Sequence, residues 1–425
     1  MTVATSTARL NPMTKRKDLY AAGEIPPIGH LPTLMHAFAV RQDRHGEPLI
    51  ALQEEIVPTP IPDSGEVVIM VMATGVSMHT IWSCLGIPTT PFIDGASPYH
   101  IPGSDCAGVV WAVGADVTGW RVGEEVVVYP VVTRDSGVES IPAQVWGYET
   151  ANGALAQFAR VRAEQLLPRP LHLTWAESAC HLSVLATAYR MLFGYHPHVV
   201  GPGQAVLVWD AARGLGAMAV QLVGVAGATA VAVVGNAEQA GVATQLGAVA
   251  ALDHSRFEPV GPLAENRSTH DHWRQQTAAF IAATRTALGK ACGFDIVFES
   301  LGQSTFPLSC QLVRRCGMVV FCSGTTDYTF CFDARPAWRK EIRLQGSHLA
   351  SKTDAAAANR LVHAGSINPC LAAVFDWQEA PVAHTRMLHG VSRPGNMAVL
   401  VQSRDRNGET GRWEHKPPPV AWGDS

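Results

Sequence analysis

Val206–Leu222, reading VLVWDAARGLGAMAVQL, constrains this chain more than any other stretch. The apolar run Val206 to Trp209 reads as a buried parallel strand. A turn of small residues comes next, and Met218 to Leu222 carries the apolar spacing of a helix. A strand that turns through glycines into a helix opens a dinucleotide-binding unit. N–H groups at the helix start face the pyrophosphate, and the helix dipole favours its charge. The same residues also suit an ordinary strand–helix junction, and the turn alone does not separate the two.

Downstream of Leu222 the doubly wound rhythm continues. Ala230 to Val234 reads as a second strand, Gln239 to Leu246 as a helix ending at Gly247, and Ala248 to Leu252 as a third strand. Ser255 to Thr286 is polar and breaks the pattern before the strands Phe294–Glu299 and Met318–Cys322. Upstream, from Met35, the runs HAFAVRQD, PLIALQEEIVPTPIP and GEVVIMVMATGVS read as short strands between glycines and prolines. With VVWAVG and VVVYP they predict a small, partly open β-barrel. At 425 residues the chain has room for two cores. A net charge of -4 argues against nucleic acid as partner. No apolar run approaches the roughly 20 residues that span a membrane, and the start lacks a signal-like apolar core, so a cytoplasmic location is expected. Nine scattered cysteines without C-x-x-C pairs are expected to be buried thiols.

The strings ATGVS and PGSDCAGVVWAVGADVTGWRVGEEVVV resemble the GroES-like domain of the medium-chain dehydrogenase/reductase superfamily. Zinc-dependent members carry Cys and His where this chain has Ser77 and Ser104, so no metal is expected. Val145-Trp146-Gly147-Tyr148-Glu149-Thr150, LLPRPLHLTWAESACHLSVLATAYRMLFG, FDARPAWRKEIRLQGSHLAS and PGNMAVLVQ resemble the crotonyl-CoA carboxylase/reductase family, over about residues 20 to 402. That resemblance implies an α/β chain with a polar arm (1–30), a GroES-like catalytic domain (31–200 and 350–425) and a Rossmann doubly wound parallel-sheet domain (201–349). It also implies a helical insertion at about 255–286. The implied activity is NADPH-dependent reduction of 2-enoyl-CoA thioesters, with CO2 able to trap the enolate and yield alkylmalonyl or acyl units for polyketide-type biosynthesis. The implied partners are an acyl-CoA or acyl-carrier thioester and a second copy, as homodimer or homotetramer.

Residue by residue, the resemblance assigns Tyr148, Glu149 and His348 to the electrophile, Glu149 and His348 lining one pocket. His79 stands where the family places a CO2-orienting Asn, and Ser77 where another Asn stood. Imidazole is a different tool, able to serve as acid or base, so protonation of the enolate gains over carboxylation. The cofactor falls to Thr187, Ala211, Arg213, Gly214, Leu215, Gly216, Asn236, Gln239, Gly324 and Thr325. The acyl-CoA falls to Arg314, Arg315 and Arg335, with Leu349 and Ala350 in the acyl pocket.

The cofactor footprint departs from the family's pattern. Asp210 and Arg213 replace glycines of a G-A-A-G-G-L-G turn, and Arg213 can either clasp phosphate or fill its seat. Gly235-Asn236-Ala237-Glu238-Gln239 lacks the Ser pair and Lys that grip a 2′-phosphate, and Glu299-Ser300-Leu301-Gly302 replaces E-H-P-G. An alternative therefore stands beside the reductase: a repurposed homologue with weakened or lost nicotinamide binding. It would catalyse a redox-neutral cyclisation, isomerisation or proton transfer on an acyl or polyketide-like substrate.

Overall fold

The structure, a computed structural model, describes residues 16–92, 97–133, 142–257, 267–289, 293–322 and 324–404. The first fifteen residues of the expected arm, residues 258–266 of the expected insertion and the tail from 405 lie outside the described residues. The chain divides into two compact units. One holds the described residues up to Cys180, Ala373–Ser392 and those from Met397 onward; the other holds His181–Ala372 and Arg393–Asn396.

The first unit begins with β1 (Leu34–Ala39), α1 (Pro48–Ala51), β2 (Gln53–Pro58), β3 (Glu66–Gly75) and α2 (Met78–Leu85). It continues through β4 (Cys106–Val113), β5 (Glu125–Val128), β6 (Val131–Thr133), β7 (Pro142–Val145), β8 (Phe158–Arg162), β9 (Leu166–Pro168) and α3 (Trp175–Ala179). One sequence expectation is corrected here. PLIA, expected as the start of a strand, is a helical turn, because Pro48 at its first position has the φ a helix needs. β3 is buried along nearly its whole length, with β4 and β8 paired to it.

The second unit carries α4 (Leu182–Phe193), β10 (Ala205–Val208), α5 (Gly214–Val225), β11 (Thr229–Val234), α6 (Ala237–Gln245) and β12 (Ala250–Asp253). Next come α7 (Arg267–Leu288), β13 (Phe294–Glu299), α8 (Phe306–Leu312), β14 (Val313–Phe321), α9 (Ala334–Lys340), β15 (Arg343–Gly346) and α10 (Lys352–His363). Six strands form one sheet in the order β12-β11-β10-β13-β14-β15, with every pairing parallel. All four residues of β10 are buried, as a strand covered on both faces requires. Sequence order reverses between β10 and β13, so the crevice beyond the carboxyl ends of these strands is where such sheets take ligands. The polar stretch after β12 contains α7, whose Trp273, Thr277, Phe280 and Thr284 make one buried stripe. Phe280 stacks on Trp209 at the end of β10, at 5.7 Å and 9°.

The chain ends with β16 (Leu371–Phe375), α11 (Ala380–Leu388) and β17 (Asn396–Leu400). These complete a seven-stranded sheet, ordered β16-β17-β3-β4-β5-β9 with β8 also on β3. The expectation of uniformly buried cysteines is corrected. Of the described ones Cys84, Cys106, Cys180, Cys310 and Cys370 are buried, Cys322 and Cys331 are intermediate and Cys316 is exposed. No helix among the described residues is long and apolar enough to cross a membrane.

Candidate active site

The turn between β10 and α5 obeys steric rules that explain which of its glycines persist. Gly214 has φ of 41° and begins α5, a left-handed conformation that glycine adopts without strain. A β-carbon on Gly216 would stand 2.2 Å from the Asp210 carbonyl oxygen, so this position accepts only hydrogen. Arg213 caps the helix with extended backbone (φ -136°, ψ 153°), where any residue fits. Asp210 has φ of 47°, which makes clear why glycine is usual there; aspartate is among the few other residues that visit this region. The first α-type bond of α5 runs from the Ala217 N–H to the Arg213 carbonyl. The N–H groups of Gly214, Leu215 and Gly216 thus precede the helical ladder and suit an anion. Ala211 lies fully buried in the same turn. Asp210, in the same turn, brings a carboxyl that would repel such an anion when ionised. Burial pushes its pKa up to about 6, and the nearby Arg213 charge offsets only part of the shift.

At the residues expected to meet the ribose, Asn236 and Gln239, the side chains are turned onto the backbone. Asn236 caps α6, its side chain accepting from the Gln239 N–H at 2.9 Å. Gln239 is buried, and its Oε1 accepts from the Gly235 N–H at 2.8 Å. Together they make a reciprocal cap of the kind that satisfies a helix start. Another residue, to which the sequence motifs assign no role, stands here. His254 Nε2 lies 3.6 Å from where a Gly235 β-carbon would be, on the exposed turn after β12. The one signal for it in the sequence is an imidazole immediately after a strand end. Thr187 lies buried within α4 and donates to the Ser183 carbonyl at 2.8 Å.

Beyond β13 and β14 the loops interlock. The Glu299 carboxylate is fully buried and accepts from the N–H groups of Leu301 and Gly302 and from the Thr305 and Ser309 hydroxyls. Ser309 in turn accepts from the Trp209 indole at 2.9 Å. Gly324 is buried against the Asp327 backbone, and exposed Thr325 donates to the Leu301 carbonyl at 3.5 Å. His348 is exposed beyond β15. Leu349 is buried with φ of 51°, and Ala350 is fully buried.

The three arginines assigned to the acyl-CoA are all paired with carboxylates. Arg314 binds Asp295 at 2.7 Å at the start of β14, and Arg315 meets Glu341 at 3.0 Å. Arg335 meets Asp333 at 2.7 Å at the opposite end of α9 from Glu341, about one short helix length away. The structure therefore does not gather them into one cluster.

On the first unit the grouping is tighter. Ser77 caps α2, and its Oγ accepts from the Thr80 N–H at 3.5 Å. That places His79 in the first turn, with Nδ1 2.9 Å from Ser104 Oγ. The ring stacks on Tyr148 (5.7 Å, 24°) and meets Trp82 edge-on (5.5 Å, 69°). Two glycines bring these loops together: a β-carbon on Gly147 would lie 2.2 Å from the Gly103 carbonyl oxygen, so the Ser104 and Tyr148 loops touch backbone to backbone. The Tyr148 hydroxyl donates to the Ile87 carbonyl at 3.0 Å. Exposed Glu149 folds back to accept from the Val145 N–H at 2.7 Å. Ser104, which in the sequence stands only where a metal ligand is missing, is fully buried as the partner of His79. Among the described residues no three His, Cys, Asp or Glu side chains converge to hold a metal ion.

Residues 63–171 match the alcohol dehydrogenase GroES-like domain family, and residues 214–364 match the zinc-binding dehydrogenase family. The chain is similar to a crotonyl-CoA carboxylase/reductase of Cereibacter sphaeroides, with 46% identity over 91% of this chain and 92% of that protein. A solved crotonyl-CoA carboxylase/reductase superposes with a TM-score of 0.89 at 43% identity, covering 94% of this chain and 96% of that one. A 2-octenoyl-CoA carboxylase reductase solved with NADP and 2-octenoyl-CoA superposes with a TM-score of 0.81 at 31% identity, covering 89% and 90%. The expected two-part fold, a GroES-like barrel and a doubly wound parallel sheet, is the one these matches share.

Proposed function

This chain belongs to the crotonyl-CoA carboxylase/reductase family, and from that membership we propose that it is an oxidoreductase that reduces 2-enoyl-CoA thioesters with NADPH. The observation that carries the reading is the β10–α5 turn. Gly216, where the Asp210 carbonyl leaves room only for hydrogen, has kept its glycine, as has Gly214 at positive φ, while Asp210 and Arg213 fall where other residues are tolerated. When bound, the nicotinamide supplies a hydride to the β-carbon. Gly214, Leu215 and Gly216 hold the pyrophosphate through their N–H groups, with Arg213 beside them as counter-charge. Asn236 and Gln239 shape the ribose wall by capping α6, and Gly324 and Thr325 shape the loop after β14. Thr187 acts from within α4, and Arg335, exposed and paired with Asp333, is proposed to meet a CoA phosphate. At the α-carbon, His79, Tyr148, Glu149 and His348 are the side chains proposed to receive the electrophile, either a proton or CO2.

Alkylmalonyl or acyl units for polyketide-type assembly are the proposed product class, and a homodimer or homotetramer the proposed assembly. A cytoplasmic setting accords with eight described cysteines that form no disulfide. The redox-neutral alternative draws its support from one group, the Asp210 carboxylate at the anion seat. Titrating NADPH and then NADH against the protein by nicotinamide fluorescence separates the two. Micromolar NADPH binding with subsequent NADPH oxidation by crotonyl-CoA upholds the reductase. No binding of either cofactor at millimolar concentration removes it.

A further inference from the structure

We propose that Arg190 is a positioning residue that clamps the backbone of His348, Leu349 and Ala350 from both ends, and so fixes where His348 stands for the reaction. The catalytic consequence rests on the reductase reading above. The clamp itself lies within the second unit and is read without substrate.

Leu349 is the reason a clamp is needed. Its φ of 51° lies in the left-handed region, which is unfavourable for leucine because the β-carbon crowds the carbonyl that follows. Such a residue keeps this conformation only where its surroundings over-determine it. Two serines flank the segment. Before it, the Ser347 N–H donates to the Phe321 carbonyl at 2.8 Å, so the chain leaves β15 still tied to β14. After it, Ser351 opens α10 through a capping box with Asp354.

Both serines lead back to one guanidinium. Arg190 sits in the last turn of α4, and its Nε–H donates to the Tyr195 hydroxyl oxygen at 3.3 Å. Arginine can only donate, so the single phenolic hydrogen is left for Ser347 Oγ, at 3.0 Å. Arg190 Nη1 donates to Asp354 Oδ2 at 3.2 Å. The same oxygen accepts from the Ser351 N–H at 3.1 Å and the Ser351 hydroxyl at 2.8 Å. Arg343 of β15 steadies Tyr195, with its guanidinium 5.7 Å from the ring centroid and a bond to the Tyr195 carbonyl at 3.2 Å. The Arg190 and Asp354 side chains are 24% and 18% exposed, so solvent screens them less than a surface pair. The two arms use two nitrogens of a rigid fork, which a lysine ammonium does not reproduce.

Hydrogen exchange on the ligand-free protein, read by mass spectrometry over residues 347–351, tests the clamp. Tyr195→Phe keeps the ring and removes the hydroxyl of one arm. It should speed exchange in that segment by at least about tenfold and leave the strands of the parallel sheet as in wild type. Ser347→Ala should do the same, and the double variant should exchange no faster than either single, because both break one arm. Arg190→Lys should match Arg190→Met. With crotonyl-CoA and NADPH, Tyr195→Phe should lower kcat/KM by about tenfold while NADPH affinity holds. A merely structural tie between α4 and α10 predicts a lower Tm with exchange raised evenly across the second unit, and that result overturns the proposal. Full rescue by lysine, or unchanged exchange over 347–351 in Tyr195→Phe, overturns it as well. Faster local exchange with wild-type turnover overturns the catalytic consequence. No NADPH oxidation by the wild type with any enoyl-CoA removes the reductase reading, while the exchange result still decides the clamp.

Discussion

The carbonyl oxygen of Asp210 occupies the space that a β-carbon on Gly216 would need, at 2.2 Å. The obstructing atom is backbone, so no rotamer change can clear it. Gly216→Ala must displace the turn, with a stability cost of about 1–3 kcal/mol from overpacking. The same shift misaligns the N–H groups at the start of α5. Thermal melting and a fluorescence titration should show a lower Tm together with at least a tenfold weaker NADPH affinity, a factor worth about 1.4 kcal/mol.

Asp210 itself gives a pH signature. Its pKa is raised from 3.8 to about 6 because burial disfavours the anion. The protonated form is therefore the one the fold prefers. Its stabilising contribution is complete below about pH 4 and lost as pH rises through about 6. Asp210→Asn keeps the shape, tolerates the left-handed backbone and removes the charge. The variant should melt higher than wild type at pH 8, by at most about 3 kcal/mol, with the gap closing at pH 4. A pH series of melting curves checks this. NADPH affinity at pH 8 should rise in the same variant, because a carboxylate no longer opposes the pyrophosphate.

His254 should decide how well the protein tells NADPH from NADH. It stands beside Gly235 at the end of β11, where the adenosine ribose lies in sheets of this kind. With Gln239 turned onto the backbone, imidazole is a group near this edge able to meet a 2′-phosphate. His254→Ala should weaken NADPH by about tenfold, worth about 1.4 kcal/mol, and leave NADH nearly unchanged. Parallel titrations give the ratio, and equal losses for both cofactors would refute the assignment.

Glu299 should prove the most sensitive carboxylate in the second unit. Four donors meet it, two of them backbone N–H groups that cannot reorient. In Glu299→Gln one amide hydrogen pair must face a donor, which leaves a buried group unsatisfied. The expected loss is about 1–3 kcal/mol, read as a lower urea midpoint.

Legibility in the sequence depends on how local the physical cause is. Phe294–Glu299 shows as a strand with those same bounds because its apolar run is buried on both faces and needs no partner information. The β10–α5 turn is legible because glycine spacing is a backbone property. Pro48–Ala51 reads as strand and folds as helix, since four apolar residues carry no period and only the proline signals a helix start. Gln239 reads as facing the cofactor, yet a residue three positions past an Asn cap is as readily drawn back to the helix start. The pairing of His79 with Ser104 is beyond the reach of sequence. It is a contact between side chains 25 residues apart, on the first turn of α2 and on a loop, which no local period brings together.

The pairing of β3 with β17 has a consequence for synthesis. Gly75 lies opposite Ala398, so the long central strand of the first unit waits for a neighbour that leaves the ribosome roughly 320 residues later. All six strands of the parallel sheet emerge in between. The nucleotide-binding unit can fold while its companion is still an unfinished sheet. Closing so long a loop by diffusion of a free chain would carry a large entropic cost, and a folded unit between the two strands shortens the effective loop. The second unit, nearly whole before β17 is made, stands between the two strands as a compact spacer in place of a free chain.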